Sequence, residues 1–144
     1  MAYEQQIINK IEKWLTWYEG NCDKATVLQL LKFNDQLSLL SVNLGSICAK
    51  AKGSYLRVYF ERKSTFSTKK LDWIKNGSSA AKADEQARLE IGAIKESEMQ
   101  REEAADILNL MLRQVNKVLS SVQQRISFEK AEHERAMRMP HDNT

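Results

Sequence analysis

Apolar residues near the start of the chain fall at Ile7, Ile11, Trp14, Leu15 and Tyr18, a spacing that gathers them on one side of a helix. The pattern predicts a short helix over 3–19. EGNCDKA then closes it, because Gly20 and Asn21 tolerate left-handed backbone and Asp23 offers a cap for the next helix. That second helix is expected over 24–75, with FNDQ near residue 34 marking a place where it can break or kink. Its residues Leu37, Leu40, Leu44, Ile47 and Ala51 keep the alternating three–four step of a coiled coil. NGSS at 76–79 is the strong turn signal, with Ser78 or Ser79 as the next cap. A third helix is predicted over 80–137, roughly 58 residues or about 87 Å long. It carries the ladder Ala105, Leu108, Leu112, Val115, Leu119, Val122 and Ile126, preceded by polar Glu98 and Arg101 where the ladder would want apolar side chains. The fold class implied is all-α: a short N-terminal helix plus a long antiparallel helical hairpin, coiled-coil-like. It forms one domain over 1–139 with a frayed tail at 140–144.

A second apolar pattern lies beside the first. At 100° per residue, Tyr55, Phe66 and Trp73 fall on the same side of the second helix as Leu37, Leu44 and Ala51, which makes them core. Leu56 and Phe60 point elsewhere, alongside Val42 and Ala49, and Ala104, Ile107, Met111 and Val118 cluster roughly opposite the ladder of the third helix. A two-helix hairpin buries one stripe per helix. The surplus predicts a homo-oligomer, with Val42, Leu56, Phe60, Ile107, Met111 and Val118 at its interface.

Composition agrees with helices. One proline and five glycines in 144 residues are too few for a turn-rich β protein. No apolar run reaches the roughly 18 residues of a membrane span, and MAYEQQIINK does not read as a secretory leader. Cys22 and Cys48 have neither metal-ligand spacing nor disulfide density, so both are expected as reduced thiols in a cytoplasmic protein. The net charge of +3 is unevenly spread: residues 50–88 hold ten basic and four acidic side chains, whereas 89–134 hold six and nine.

That local excess sits where aromatic and basic residues alternate, in YLRVYFERKSTFSTKKLDWIK at 55–75. Lys52, Lys63 and Lys70 share one helix edge, Arg62 and Lys69 border the core stripe, and Lys75 and Lys82 straddle the turn. As a solvated helix face these need no ligand. As a concentrated positive stripe, multiplied in an oligomer, they suit backbone phosphates, with Tyr59 placed to stack on a base. The candidate phosphate-binding set is Lys52, Arg57, Tyr59, Arg62, Lys63, Lys69, Lys70 and Lys75.

Enzyme chemistry has little to build on, and no catalytic residue, metal ligand or cofactor is assigned. Glycine-rich phosphate loops, GxSxG and HExxH do not occur. His133 and His141 read as solvated. Glu98, Glu102, Glu103 and Asp106 read as partners of Arg101, Arg113 or the basic edge of the second helix.

The order of parts resembles small phage-encoded helical proteins: a short helix, a helix bearing YLRVYFERK, an NGS turn, and a long helix ending in QVNKVLSSVQQRISFEKAEHE. Over about 37–134 it is similar in layout to the UvsY-type recombination mediators of phages. That resemblance implies a small helical oligomer that binds single-stranded DNA and helps load a recombinase, with Tyr55, Arg57, Tyr59, Arg62 and Lys63 in the binding segment. The expected function is a non-enzymatic, oligomeric phage accessory protein for single-stranded nucleic acid, acting in the host cytoplasm with no membrane partner. Two alternatives stay open: a phage anti-defence sponge for a nucleotide signal, and an inhibitor whose acidic third helix binds a host protein.

Overall fold

The computed structural model describes residues 2–138, and the expected tail at 140–144 lies outside them. Among the described residues there are four helices and no strand: α1 Tyr3–Asn21, α2 Val27–Lys75, α3 Ala80–Glu90 and α4 Gly92–Arg138.

Local chemistry sets most of these boundaries. α1 runs on through Gly20 and Asn21, neither of which adopts left-handed backbone. Asp23 does not cap α2, which starts later than 24. Instead Thr26 and Gln29 close a reciprocal capping box: Gln29 N–H donates to Thr26 Oγ1 at 3.2 Å, and Thr26 N–H donates to Gln29 Oε1 at 2.9 Å. α2 is then uninterrupted through residue 34, because nothing in FNDQ removes a backbone donor. Its end is a Schellman motif around Gly77, whose φ of 95° is the one positive value among the described residues. Gly77 N–H donates to the Ile74 carbonyl at 3.1 Å and Ser78 N–H to that of Trp73 at 3.0 Å. Ser79 then caps α3, its Oγ accepting from Lys82 N–H at 3.3 Å.

The third helix expected over 80–137 is interrupted once. Ile91 leaves helical geometry with φ −92° and ψ 6°, just before Gly92, the residue that least resists such a departure. The break is slight, since Ile91 N–H still reaches the Ala87 carbonyl at 3.1 Å and Lys95 N–H that of Ile91 at 2.9 Å.

The sequence suggests one domain over 1–139; the helices gather into two compact units. One takes in the residues up to Gly45 together with those from Leu110 onward, and the other is Ser46–Asn109. The first has a core of large side chains: Ile11, Leu30, Phe33, Leu37, Leu44, Val115 and Val122 are all fully buried. Phe33 stacks on Tyr18 and Trp17, with ring centroids 4.9 and 5.5 Å away, and meets the edge of Trp14 at 5.9 Å. Arg125 reaches back to the end of α1, donating to the Cys22 carbonyl and, at 3.1 Å, to Asp23 Oδ1. That bond holds the guanidinium more firmly protonated than a free arginine.

The second unit is built from smaller parts. Its buried apolar residues are Ile47, Cys48, Val58, Ala83, Ala87, Ile91 and Ala105, three of them alanines. Tyr55, Phe66 and Trp73, expected as core, are only half-buried. Within this unit the earlier part of α2 meets α4 and its later part meets α3. Ser54 accepts from Arg101, Arg62 pairs with Glu98, Lys70 with Asp84, and Trp73 Nε1 donates to Glu90 Oε1 at 3.2 Å.

Candidate functional site

The second unit contains the whole aromatic–basic segment. At its middle, Tyr59 is half-buried between Tyr55, one helical turn back, and the adjacent Phe60. Its ring lies 6.2 Å from Tyr55 and 5.3 Å, edge-on, from Phe60. The Lys63 ammonium stands 4.6 Å from the ring centroid and the Arg62 guanidinium 5.4 Å. A cation held over an exposed aromatic face is worth about 0.5–1 kcal/mol, enough to bias both side chains without fixing them. Tyr59 is thus a ring with positive charge beside it.

The basic residues of the candidate set divide sharply by partner. Arg62 forms a two-pronged ion pair with Glu98, its Nη2 donating to Oε1 at 3.3 Å while Nε bonds Oε2. Glu98 is buried, at 8% exposure, where the ladder of α4 would otherwise want an apolar residue. Hydrogen bonding to Glu98 raises the Arg62 pKa above that of a free arginine, so this cation is committed. Lys70 lies 3.6 Å from Asp84, which also takes Arg88 at 3.0 Å. Lys69 approaches Glu90 only to 4.0 Å, a contact worth little at an exposed site. Lys52, Arg57, Lys63 and Lys75 are exposed and have no ion-pair partner among the described residues. The hydroxyl of neighbouring Tyr55 is held protonated above its ordinary range, first by desolvation and then by the charges of Glu102 and Glu98.

The apolar residues assigned to an oligomer interface also divide. Val42, Phe60 and Ile107 are 70%, 62% and 57% exposed, and Leu56 is 37% exposed. Met111 and Val118 are half-buried within the first unit, so for them the expectation of a free face holds only in part.

The sequence pattern marks the segment but not its internal pairing. Glu98 standing in a ladder position was the signal that an arginine on the facing helix would be needed, and Arg62 at the margin of the core stripe was available. The T-x-x-Q of the α2 cap and the reach of Arg125 back to residues 22 and 23 were also missed. The first has a recognisable pattern and the second has none. Glu102, Glu103 and Asp106 make no ion pair among the described residues, against the expectation that they would.

Groups for other chemistry do not converge. Among the described residues no three His, Cys, Asp or Glu side chains sit together as a metal-binding group. Cys48 is buried, and desolvation raises its pKa, which leaves it a poor nucleophile. Among the described residues no helix is long and apolar enough to cross a membrane. Compared with known proteins, the chain matches no family model, no curated protein and no solved structure.

Proposed function

We propose that this chain is a non-enzymatic, oligomeric accessory protein that binds single-stranded nucleic acid along the second half of α2, as a recombination or replication mediator does. In this reading α2 and the α3–α4 run form a long antiparallel, coiled-coil-like hairpin, and sister copies multiply the binding segment. Phage origin and the cytoplasm of a host are part of the same proposal. The observation that carries it is the four exposed cations without an ion-pair partner among the described residues, Lys52, Arg57, Lys63 and Lys75, along the half of α2 that bears Tyr59, with Lys63 over its ring. Phosphates need mobile positive charge, which these supply and Arg62 does not. Bases need an aromatic face, and stacking on one contributes about 1–3 kcal/mol per base.

Binding of a labelled single-stranded oligonucleotide, followed by fluorescence anisotropy across a salt series, tests this. Affinity should fall steeply with salt as counterions reassociate. Arg57→Glu with Lys75→Glu should weaken binding at least tenfold at low salt. Binding unchanged by that pair would remove the proposal. Stabilisation by a short cyclic nucleotide with no oligonucleotide binding would replace it with the sponge reading.

A further inference from the structure

The second unit buries mainly small side chains while leaving large ones outside. Leu56, Phe60, Leu71 and Ile74 are 37%, 62%, 55% and 41% exposed on α2, and Met99 and Ile107 are 62% and 57% exposed on α4. On α2 the four lie within about 60° of one another, a continuous stripe. Lys63, without an ion-pair partner among the described residues, and Lys70, 3.6 Å from Asp84, run along one edge of it. On α4, Met99 and Ile107 share a side with Glu96 and Glu103, both exposed and without an ion pair among the described residues. One greasy face is therefore edged with positive charge, and the other carries negative charge between its two apolar residues. The spacing matches as well. Lys63 and Lys70 are seven residues apart, as are Glu96 and Glu103, so both rows repeat after two turns, about 10 Å.

We infer that these two faces are partners: the α2 stripe of one copy docks on the α4 stripe of a second copy, with Lys63 and Lys70 facing Glu103 and Glu96. A second copy is favoured over an anionic surface because it covers both faces at once. An anionic surface would take the first face and repel the other. The contact is also head-to-tail. Val58, buried on α2, and Ala105, buried on α4, lie about 160° round their helices from Leu56 and Ile107, so each stripe is on the back of its helix. The two backs face away from each other, and a contact between unlike faces does not close on two copies. Assemblies of more than two chains are the result. Arg57 and Lys75, about 120° from Lys63 around α2, stay clear for another ligand. The inference rests on the self-association in the proposed function, and not on nucleic acid.

Two variants, checked for unchanged helicity by circular dichroism, test it by light scattering after size exclusion. Phe60→Glu spoils only the α2 face, and Ile107→Lys only the α4 face. The native chain should run as more than two copies, and each variant alone as one. An equal mixture should give two-chain particles, because one intact face of each kind remains. A native chain that stays single refutes both this inference and the self-association it rests on. Variants that still assemble, or a mixture of single chains that does not pair, overturn the docking alone while leaving an oligomer by another surface. Oligonucleotide binding is read separately and does not decide between these outcomes.

Discussion

Replacing Arg62 by methionine should destabilise the second unit far more than replacing Glu98 by leucine, although both break the same ion pair. The difference lies in what each change leaves behind. The side chain of Glu98 is 10% exposed and that of Arg62 is 25% exposed. Without Arg62, a buried carboxylate loses its two-pronged partner; removing one member of a fully buried pair costs about 3–5 kcal/mol. Arg62 already shows water at its edge, which lowers that figure to about 2–3 kcal/mol here. Without Glu98, the guanidinium can turn outward on its stem, and leucine restores the apolar ladder. The net change should then stay within about 1 kcal/mol of zero. The double variant, with well-packed apolar groups in place of both charges, should match or exceed the native chain. Thermal melting followed by circular dichroism checks this. For a chain of this size the Arg62→Met loss corresponds to a drop of roughly 6–10 °C, against about 3 °C or less for Glu98→Leu. Equal losses for the two single variants, or a double variant no better than Arg62→Met, would refute the argument that a trapped carboxylate sets the cost.

Three further outcomes are expected. Thr26→Ala removes one half of the α2 capping box and should cost about 1 kcal/mol by urea denaturation, with Thr26→Asp largely restoring it. Gly77→Ala forces a Cβ into a φ of 95°, where no neighbour lies within 4 Å; the loss of about 1 kcal/mol should therefore be nearly the same for Gly77→Ser, since backbone and not crowding sets it. Cys48, buried and with its thiol pKa raised by desolvation, favours folding below the ordinary thiol pKa, and that contribution is lost as pH rises through the raised value. A thiol reagent at neutral pH should accordingly label Cys22 first and reach Cys48 only when the chain opens.

How much of the fold and site is readable from sequence depends on the kind of signal involved. The ladder on α4 and the row on α2 were plain because burial repeats every three or four residues, and Leu37, Leu44, Val115 and Val122 are buried where that periodicity put them. The turn at 76–79 was plain because Asn-Gly-Ser has few other uses. The break at Ile91 was not, since one glycine inside a helical pattern is usually tolerated. The half-burial of Tyr55, Phe66 and Trp73 was also hidden. Position on a helix face says which way a ring points, and the size of its neighbours decides how deeply it is covered; alanines at 83, 87 and 105 cover little. For the binding segment, charge was visible and commitment was not. Arg62 and Lys63 are adjacent in sequence, yet one is held by Glu98 and the other is free, a distinction made by a residue 36 positions from Arg62.

The placement of the indoles gives the chain a built-in pair of optical reporters. Trp14 and Trp17 sit with Phe33 in the first unit, while Trp73 donates to Glu90 in the second. A variant retaining only Trp73, and its complement retaining only the other two, would emit from one unit each. Their emission curves on heating would coincide if the continuous α2 and α4 make the chain melt as one, and separate if the alanine-lined half gives way first.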